Sequence, residues 1–418
     1  MLVAAFLWHF LAIAAPPLQP PKAGSEGRDY ASYHYAAQTA AAGEDPWALD
    51  RVEAVAQADG TRTWVHPYLY PPPFLLLVWP LSLLSLGTAF VAWGVLQEIA
   101  LIAAALALAW GWRSVHGAVG VVFVALAALM YGLAYGFELG QANVLVLALV
   151  LGGAALQDDR PVLGGVMLGL ACMLKMSPAL VVLWWLLRGR TQSVVAAVAA
   201  AVGISILVLP LVGPAEQLGF YTGVLPRFGS GDYNGLTIRI GIFGNHSIPS
   251  LLHAWTTEDV GVRTLLTPLA KGLSALTTLG LLGGLGVAFR PRPGATHDAM
   301  TTAGQLATVL VLMILVPVYT YEHHLVFALP AMSLALVALH LGRLPLGWAV
   351  PIGMAVAVLC VPLPTLKGFA DEVITKDAEF AYGAVREAKT VALLTVGAAT
   401  AWLGRGQGTS AGRNSPGR

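Results

Sequence analysis

Residues 87–111 read GTAFVAWGVLQEIALIAAALALAWG, a run whose one ionisable side chain is Glu98. As a helix it rises about 37 Å at roughly 1.5 Å per residue, enough to cross the roughly 30 Å hydrocarbon core of a bilayer. Within a single segment, only a helix satisfies its own backbone N–H and C=O groups there. The run sets the class as an all-α polytopic membrane protein, and Glu98 at membrane depth is tolerated only facing the bundle interior. Residues 117–136, 193–213, 264–289, 301–318, 325–341 and 346–361 repeat the composition, and the shorter runs 143–156, 161–174, 178–187 and 391–403 follow it. Residues 74–86 read as a short re-entrant or interfacial piece ahead of the first full run. Residues 2–15 lack the charged n-region of a secretory signal and read as the outer part of a first transmembrane helix.

The whole chain agrees with that run. Of its 418 residues, 57% are hydrophobic and 11% charged, against about 25% charged in soluble domains, which excludes a water-soluble globular fold. Lys and Arg number 23 against 22 Asp and Glu, a formal charge of +1, so there is no electrostatic footprint for nucleic acid and no such partner is expected. Cys172 and Cys360 lie inside apolar runs as small core residues. Neither a disulfide framework nor a thiolate metal site is expected from them.

Arginine placement orients the bundle, because Lys and Arg are retained on the cytoplasmic side. Arg113, Arg160, Arg188 with Arg190, Arg290 with Arg292, Arg343, Arg405, Arg413 and Arg418 all fall inside if Met1 is inside and the chain crosses about twelve times. Residues 1–403 then form one transmembrane domain, and the Gly-, Ser- and Arg-rich residues 404–418 a disordered cytoplasmic tail. Outside lie a first loop at 16–73, the Gly140-Gln141 turn, the Lys175-Met176-Ser177-Pro178 turn, a second loop at 214–262 and the turn at 319–324. Chemistry belongs to those outer stretches.

The first loop contains Gly27-Arg28-Asp29-Tyr30-Ala31-Ser32-Tyr33-His34-Tyr35-Ala36-Ala37, with Tyr30, Tyr33 and Ala37 at helical spacing. Asp29 at its start either caps that helix or stands just outside the membrane as a general base. The following His66-Pro67-Tyr68-Leu69-Tyr70-Pro71-Pro72-Pro73 cannot continue a helix and makes a rigid entry to the membrane. In Gly140-Gln141-Ala142-Asn143, glycine allows the bend and Asn143 can cap the next span, leaving Gln141 free to bind a hydroxyl. Lys175 either snorkels to the interface or meets a phosphate. In the second loop Arg227 and Arg239 are candidates for charge-assisted phosphate contacts, near Gly244-Asn245-His246-Ser247. The last turn, Tyr319-Thr320-Tyr321-Glu322-His323-His324, holds adjacent histidines about 100° apart on a helix. They do not chelate one metal as an i, i+4 pair would, but an imidazole there can donate to a phosphate.

The order of these motifs, from Asp29-Tyr30 through Tyr70-Pro71-Pro72, Gly140 to Asn143, Lys175 to Pro178 and Asn245-His246-Ser247 to His323-His324, resembles glycosyltransferase family 87. The resemblance implies a GT-C-type bundle whose outer loops form the active site on the extracytoplasmic face of the plasma membrane. It implies transfer of a sugar, mannose before arabinofuranose, from a polyprenyl-phosphate donor to a glycolipid or lipoglycan, giving an α-glycoside by inversion. On the family's pattern Asp29 is the catalytic base. Lys175, Arg239, His323 and His324 are expected to hold the donor phosphate, and Tyr33, Tyr70, Gln141, Asn143, Asn245 and His246 to bind substrate. The family has Gln where this chain has His246. No cofactor is expected, because a lipid monophosphate leaving group carries less charge than a nucleotide diphosphate, although an outer carboxylate can recruit a divalent cation. The competing class, a lipid or solute transporter, needs ionisable groups along a midplane path. Here only Glu98 and Glu138 fit that description.

Overall fold

The computed structural model describes residues 27–60, 64–236, 238–257, 262–290, 298–374 and 379–405. The readings of residues 2–15 and of the tail beyond Arg405 lie outside the described residues. Helix dominates what is described, and the β pairing among the described residues is one isolated bridge between Tyr233 and Leu236.

The decisive run is a helix, Leu86–Gly111, opened by Ser85, whose hydroxyl accepts from Thr88 N. Glu98 is buried within the bundle, as its cost in hydrocarbon requires. Ahead of it, residues 74–86 supply the short helix Phe74–Ser82. Among the described residues, four helices are long and apolar enough to cross a membrane: Leu86–Gly111, Thr191–Val212, Pro268–Ala288 and Glu322–His340. Counting each of two bent pairs as one span raises this to six. The twelve crossings expected from arginine parity are therefore not matched by helix length. Breaks account for two of the missing spans, and four further apolar helices, Asn143–Leu156, Pro161–Leu174, Ala299–Leu315 and Ala388–Gly404, are shorter than a full span. Residues 117–136 are not one straight span but Ala118–Leu129 and Tyr131–Leu139, bent by 64°, because Met130 is extended. Residues 346–361 run on through a 97° bend into Leu363–Val373, where Pro362 and Pro364 withhold backbone donors.

Small residues let the helices close on each other. Gly165 and Gly169, one turn apart on Pro161–Leu174, place their backbone against the carbonyls of Ser193 and Ala197 on Thr191–Leu207. A side chain at either position would collide with that backbone, the close approach that small-xxx-small spacing permits in membranes. Large apolar residues such as Leu207, Leu276 and Val287 stay exposed on the outer helices, where hydrocarbon is the solvent. The central helix Ala299–Leu315 is buried along nearly its whole length. At one end of this bundle, Arg28–Ala41, the Tyr131–Leu139 helix, the Gly140 to Asn143 turn, Lys175 and the Glu322–Ala328 turn converge.

Candidate active site

Gly27, left-handed at φ 63°, starts the Arg28–Ala41 helix and donates its N–H to Glu138 O at 2.8 Å. Asp29 therefore does not cap this helix; the helix has no side-chain cap bond. Its Oδ2 instead accepts from Gln141 Nε2 at 2.5 Å. Gln141 Oε1 accepts from Tyr70 OH at 2.9 Å, and Tyr70 OH accepts from Tyr33 OH at 2.7 Å. Every donor in this chain points toward the carboxylate, which fixes its orientation. Asp29 Oδ1 lies 3.9 Å from His66 Nε2 and 4.0 Å from Arg28 Nε, beyond hydrogen-bond length. Burial holds Tyr33 and Tyr70 well above the usual tyrosine value, reinforced at Tyr33 by Tyr70 and Asp29 and opposed at Tyr70 by the hydrogen bond from Tyr33, so both hydroxyls stay protonated.

The turn that carries Gln141 depends on Gly140, at φ 75°. A Cβ there would lie 2.6 Å from Tyr30 Cβ, and the Gly140 carbonyl accepts from Trp93 Nε1 at 2.8 Å. The residue that opens the next helix, Asn143, does not cap it. Its Nδ2 donates to His323 O at 2.8 Å and its Oδ1 accepts from Lys175 Nζ at 2.6 Å.

Lys175 ends the Pro161–Leu174 helix in extended conformation. Its Nζ is 2.8 Å from His324 Nε2 and 5.9 Å from the Tyr70 ring centroid. Tyr321 N–H donates to His324 Nδ1 at 3.0 Å, so a neutral ring carries its proton on Nε2 and donates toward Lys175. The lysine must then present a lone pair. Burial agrees: it pushes Lys175 down from 10.5 to about 7, against the pull of the Asp29 carboxylate. A carboxylate and a buried amine thus flank one end of the bundle, with Tyr70 between them.

Other expected site residues lie elsewhere. Asn245 is 1% exposed and its amide is fully used, donating to Ile240 O at 2.9 Å and Val318 O at 3.0 Å and accepting from Thr320 N at 3.0 Å. It braces the loop, and neither amide hydrogen remains for substrate. His246 is fully buried with Nε2 2.7 Å from Glu322 Oε1, so it too serves the interior. Arg239 is exposed, with no side-chain hydrogen bond or ion pair to the Asp29 and Lys175 group among the described residues. Arg227 is taken up within its own loop by Asn234 Oδ1 at 2.8 Å and Asp232 at 3.5 Å. His323 presents its carbonyl to Asn143, and its ring packs among Tyr135, Tyr321 and His324.

Sequence reasoning passed over an ion cluster behind the histidine turn. Glu322 Oε2 accepts from Lys389 Nζ at 2.7 Å while Oε1 meets His246, all three side chains about 1% exposed. Lys389 also donates to Val361 O at 2.7 Å. A lone lysine opening an otherwise apolar run was the available signal. Arg28 and His66, close to Asp29 Oδ1, were also missed as site residues.

A polyprenol-phosphate-mannose-dependent alpha-(1-2)-phosphatidylinositol pentamannoside mannosyltransferase of Mycolicibacterium smegmatis is 29% identical over 317 residues, 73% of this chain and 70% of that protein. Its namesake from Mycobacterium tuberculosis is 28% identical over 190 residues, 44% of this chain and 43% of that protein. The crystal structure of ArnT from Cupriavidus metallidurans bound to undecaprenyl phosphate aligns at 16% identity and a TM-score of 0.47, over 96% of this chain and 76% of that one. The family model of glycosyltransferase family 87 matches residues 68–317. That span takes in Tyr70, Gln141, Asn143 and Lys175 and stops short of Asp29 and His324, and with well over half the sequence matched, the chain belongs to glycosyltransferase family 87.

Proposed function

We propose that the protein is a GT-C-type, polyprenyl-phosphate-dependent mannosyltransferase, acting at the extracytoplasmic face of the plasma membrane on a glycolipid or lipoglycan acceptor. The observation that carries this reading is the pairing of an oriented carboxylate, Asp29, with a buried amine, Lys175, across Tyr70. The mycobacterial relatives, both named as polyprenol-phosphate-mannose-dependent mannosyltransferases, support the donor.

In the proposed reaction the acceptor hydroxyl attacks the anomeric carbon, and its proton passes to Asp29, held by Gln141 Nε2. The bond between anomeric carbon and phosphate oxygen breaks, and the electron pair leaves on the polyprenyl phosphate. That phosphate gains negative charge as the bond lengthens, so a cation fixed nearby stabilises the transition state more than the ground state. Lys175 fills this role in its ammonium form, once it has taken up a proton and turned from His324 to the phosphate, with His324 Nε2–H as a second donor. Attack opposite the leaving group inverts a β-linked donor to an α-glycoside. No metal is required by this scheme, because one amine and one imidazole suffice for a lipid monophosphate. Gln141 and Asn143 act by positioning Asp29 and Lys175, and Tyr33 and Tyr70 orient Gln141.

The test is transfer of radiolabelled mannose from polyprenyl-phosphate-mannose to an extracted glycolipid pool by purified protein, beside Asp29→Ala. A positioned general base contributes roughly 10²–10⁴-fold, so the variant should lose at least a hundredfold in rate while still binding donor. Full turnover by Asp29→Ala would remove the residue from the role. Labelled product from an arabinofuranosyl donor instead would change the sugar and leave the chemistry intact.

A further inference from the structure

The helices that bear the candidate site at one end enclose a second polar cavity at the other. Asn143–Leu156 runs from the Lys175 contact to Gln157, about 21 Å further on at 1.5 Å per residue. Ala179–Leu187 runs likewise from the Lys175 turn to Arg188. Between these far ends and the start of Ala299–Leu315 lies a cavity of about 300 Å³, lined by Ser114, Gln157, Asp158, Arg188, Arg190 and Thr302 among others.

Its charges do not cancel. Asp158, the acid in the lining, pairs with Arg190 at 2.6 Å. Arg188 is half-buried and meets a neutral partner, its Nη1 donating to Gln305 Oε1 at 2.5 Å. Trp184 Nε1 donates to that oxygen at 3.2 Å, and Gln305 Nε2 donates to Gly404 O at 2.9 Å, so the anchor is rigid. The guanidinium carbon lies 5.5 Å from the Trp184 ring centroid. No carboxylate pairs with Arg188 among the described residues. A half-buried guanidinium that lines a polar cavity and has no carboxylate partner among the described residues is an arrangement that an anion would complete.

We propose that this cavity binds a phosphate group at the end of the bundle opposite the Asp29 site, with Arg188 as its principal ligand and Arg190 as a second. The group comes from the headgroup of an anionic lipid or from free phosphate. Basic pockets between transmembrane helices on the cytoplasmic side take anionic headgroups, and Arg113 and Arg160 stand at this same end. Burial and the neighbouring Arg190 both work against the charge on Arg188, opposed by Asp158, and an anion would relieve them.

The full chain is placed in nanodiscs of phosphatidylcholine alone and of phosphatidylcholine with phosphatidylglycerol, and its thermal unfolding is followed with and without inorganic phosphate. Native mass spectrometry counts the lipids retained. Phosphatidylglycerol should raise the unfolding temperature and leave one retained anionic lipid, with apparent affinity at least tenfold weaker in Arg188→Gln. Thr302→Phe narrows the cavity without touching the arginines and should weaken binding comparably, which keeps the test open if Arg188→Gln does not fold. Stabilisation by inorganic phosphate without a lipid effect assigns the site to free phosphate. No stabilisation by either probe, or equal stabilisation in both variants, overturns the proposal.

Discussion

Lys175 is where a single residue's environment sets a measurable pH dependence. It faces Asp29, Tyr70, His323 and His324, and burial holds it near 7 rather than 10.5. A lysine depressed in the free protein is already charged below about pH 7 and is a neutral amine above it. An anionic phosphate binds the ammonium form. Donor affinity should therefore be flat below about pH 7 and fall roughly tenfold for each unit above it. Lys175→Arg, charged throughout, should abolish that slope, and titration calorimetry with polyprenyl-phosphate-mannose at several pH values checks both. A slope unchanged in Lys175→Arg would place the titrating group elsewhere. The sequence located Gln141 and Lys175 as polar residues at turns between apolar runs, and Asp29 at the start of a helix in the first outer loop. It could not tell that Asp29 turns from its helix to Gln141, since a cap and a base look alike until the neighbouring turn is in place.

At the scale of elements, the Gly140 turn aims Gln141 and Asn143 at two different partners. Gly140→Ala forces a Cβ into left-handed backbone against Tyr30, with φ 75° and a contact of 2.6 Å. It should lower the unfolding temperature and, by displacing Gln141, cut transfer more than it weakens donor binding. Side-by-side measurement of kcat and donor Kd distinguishes this from simple destabilisation. The second loop shows the opposite relation between sequence and structure. Gly244-Asn245-His246-Ser247 has the composition of a solvated loop, yet Asn245, His246 and Ser247 are all 1% exposed or less. The Asn245 amide and the Ser247 hydroxyl replace backbone partners for Ile240, Val318 and the Ser250 N–H, and the His246 imidazole meets Glu322, which local composition does not reveal.

Across the whole molecule, Lys389 near the C-terminal end reaches Glu322, which His246 grips from the second loop. This cluster fixes the Glu322–Ala328 turn that carries His323 and His324, and the Glu322 carbonyl lies against Gly132. Removing one member of a buried ion pair typically costs about 3–5 kcal/mol, because the other charge is left unpaired. Lys389→Met should destabilise the protein on that order, and the double variant Lys389→Met with Glu322→Gln should recover much of the loss. Thermal unfolding of the single and double variants decides it; no recovery would mean that Lys389 acts through packing alone. The sequence by itself determined the class, since the length and apolarity of runs such as 87–111 leave a chain in hydrocarbon no other way to satisfy its backbone. It also located the polar runs from which the site is built. Only the tertiary structure decided which members of those runs meet: Asn143 with His323 across 180 residues, Lys175 with His324 across 149, Glu322 with Lys389 across 67. The reason is physical, because the charge and hydrogen-bonding state of a buried group depend on its neighbours in space, and periodicity along the chain carries no record of them.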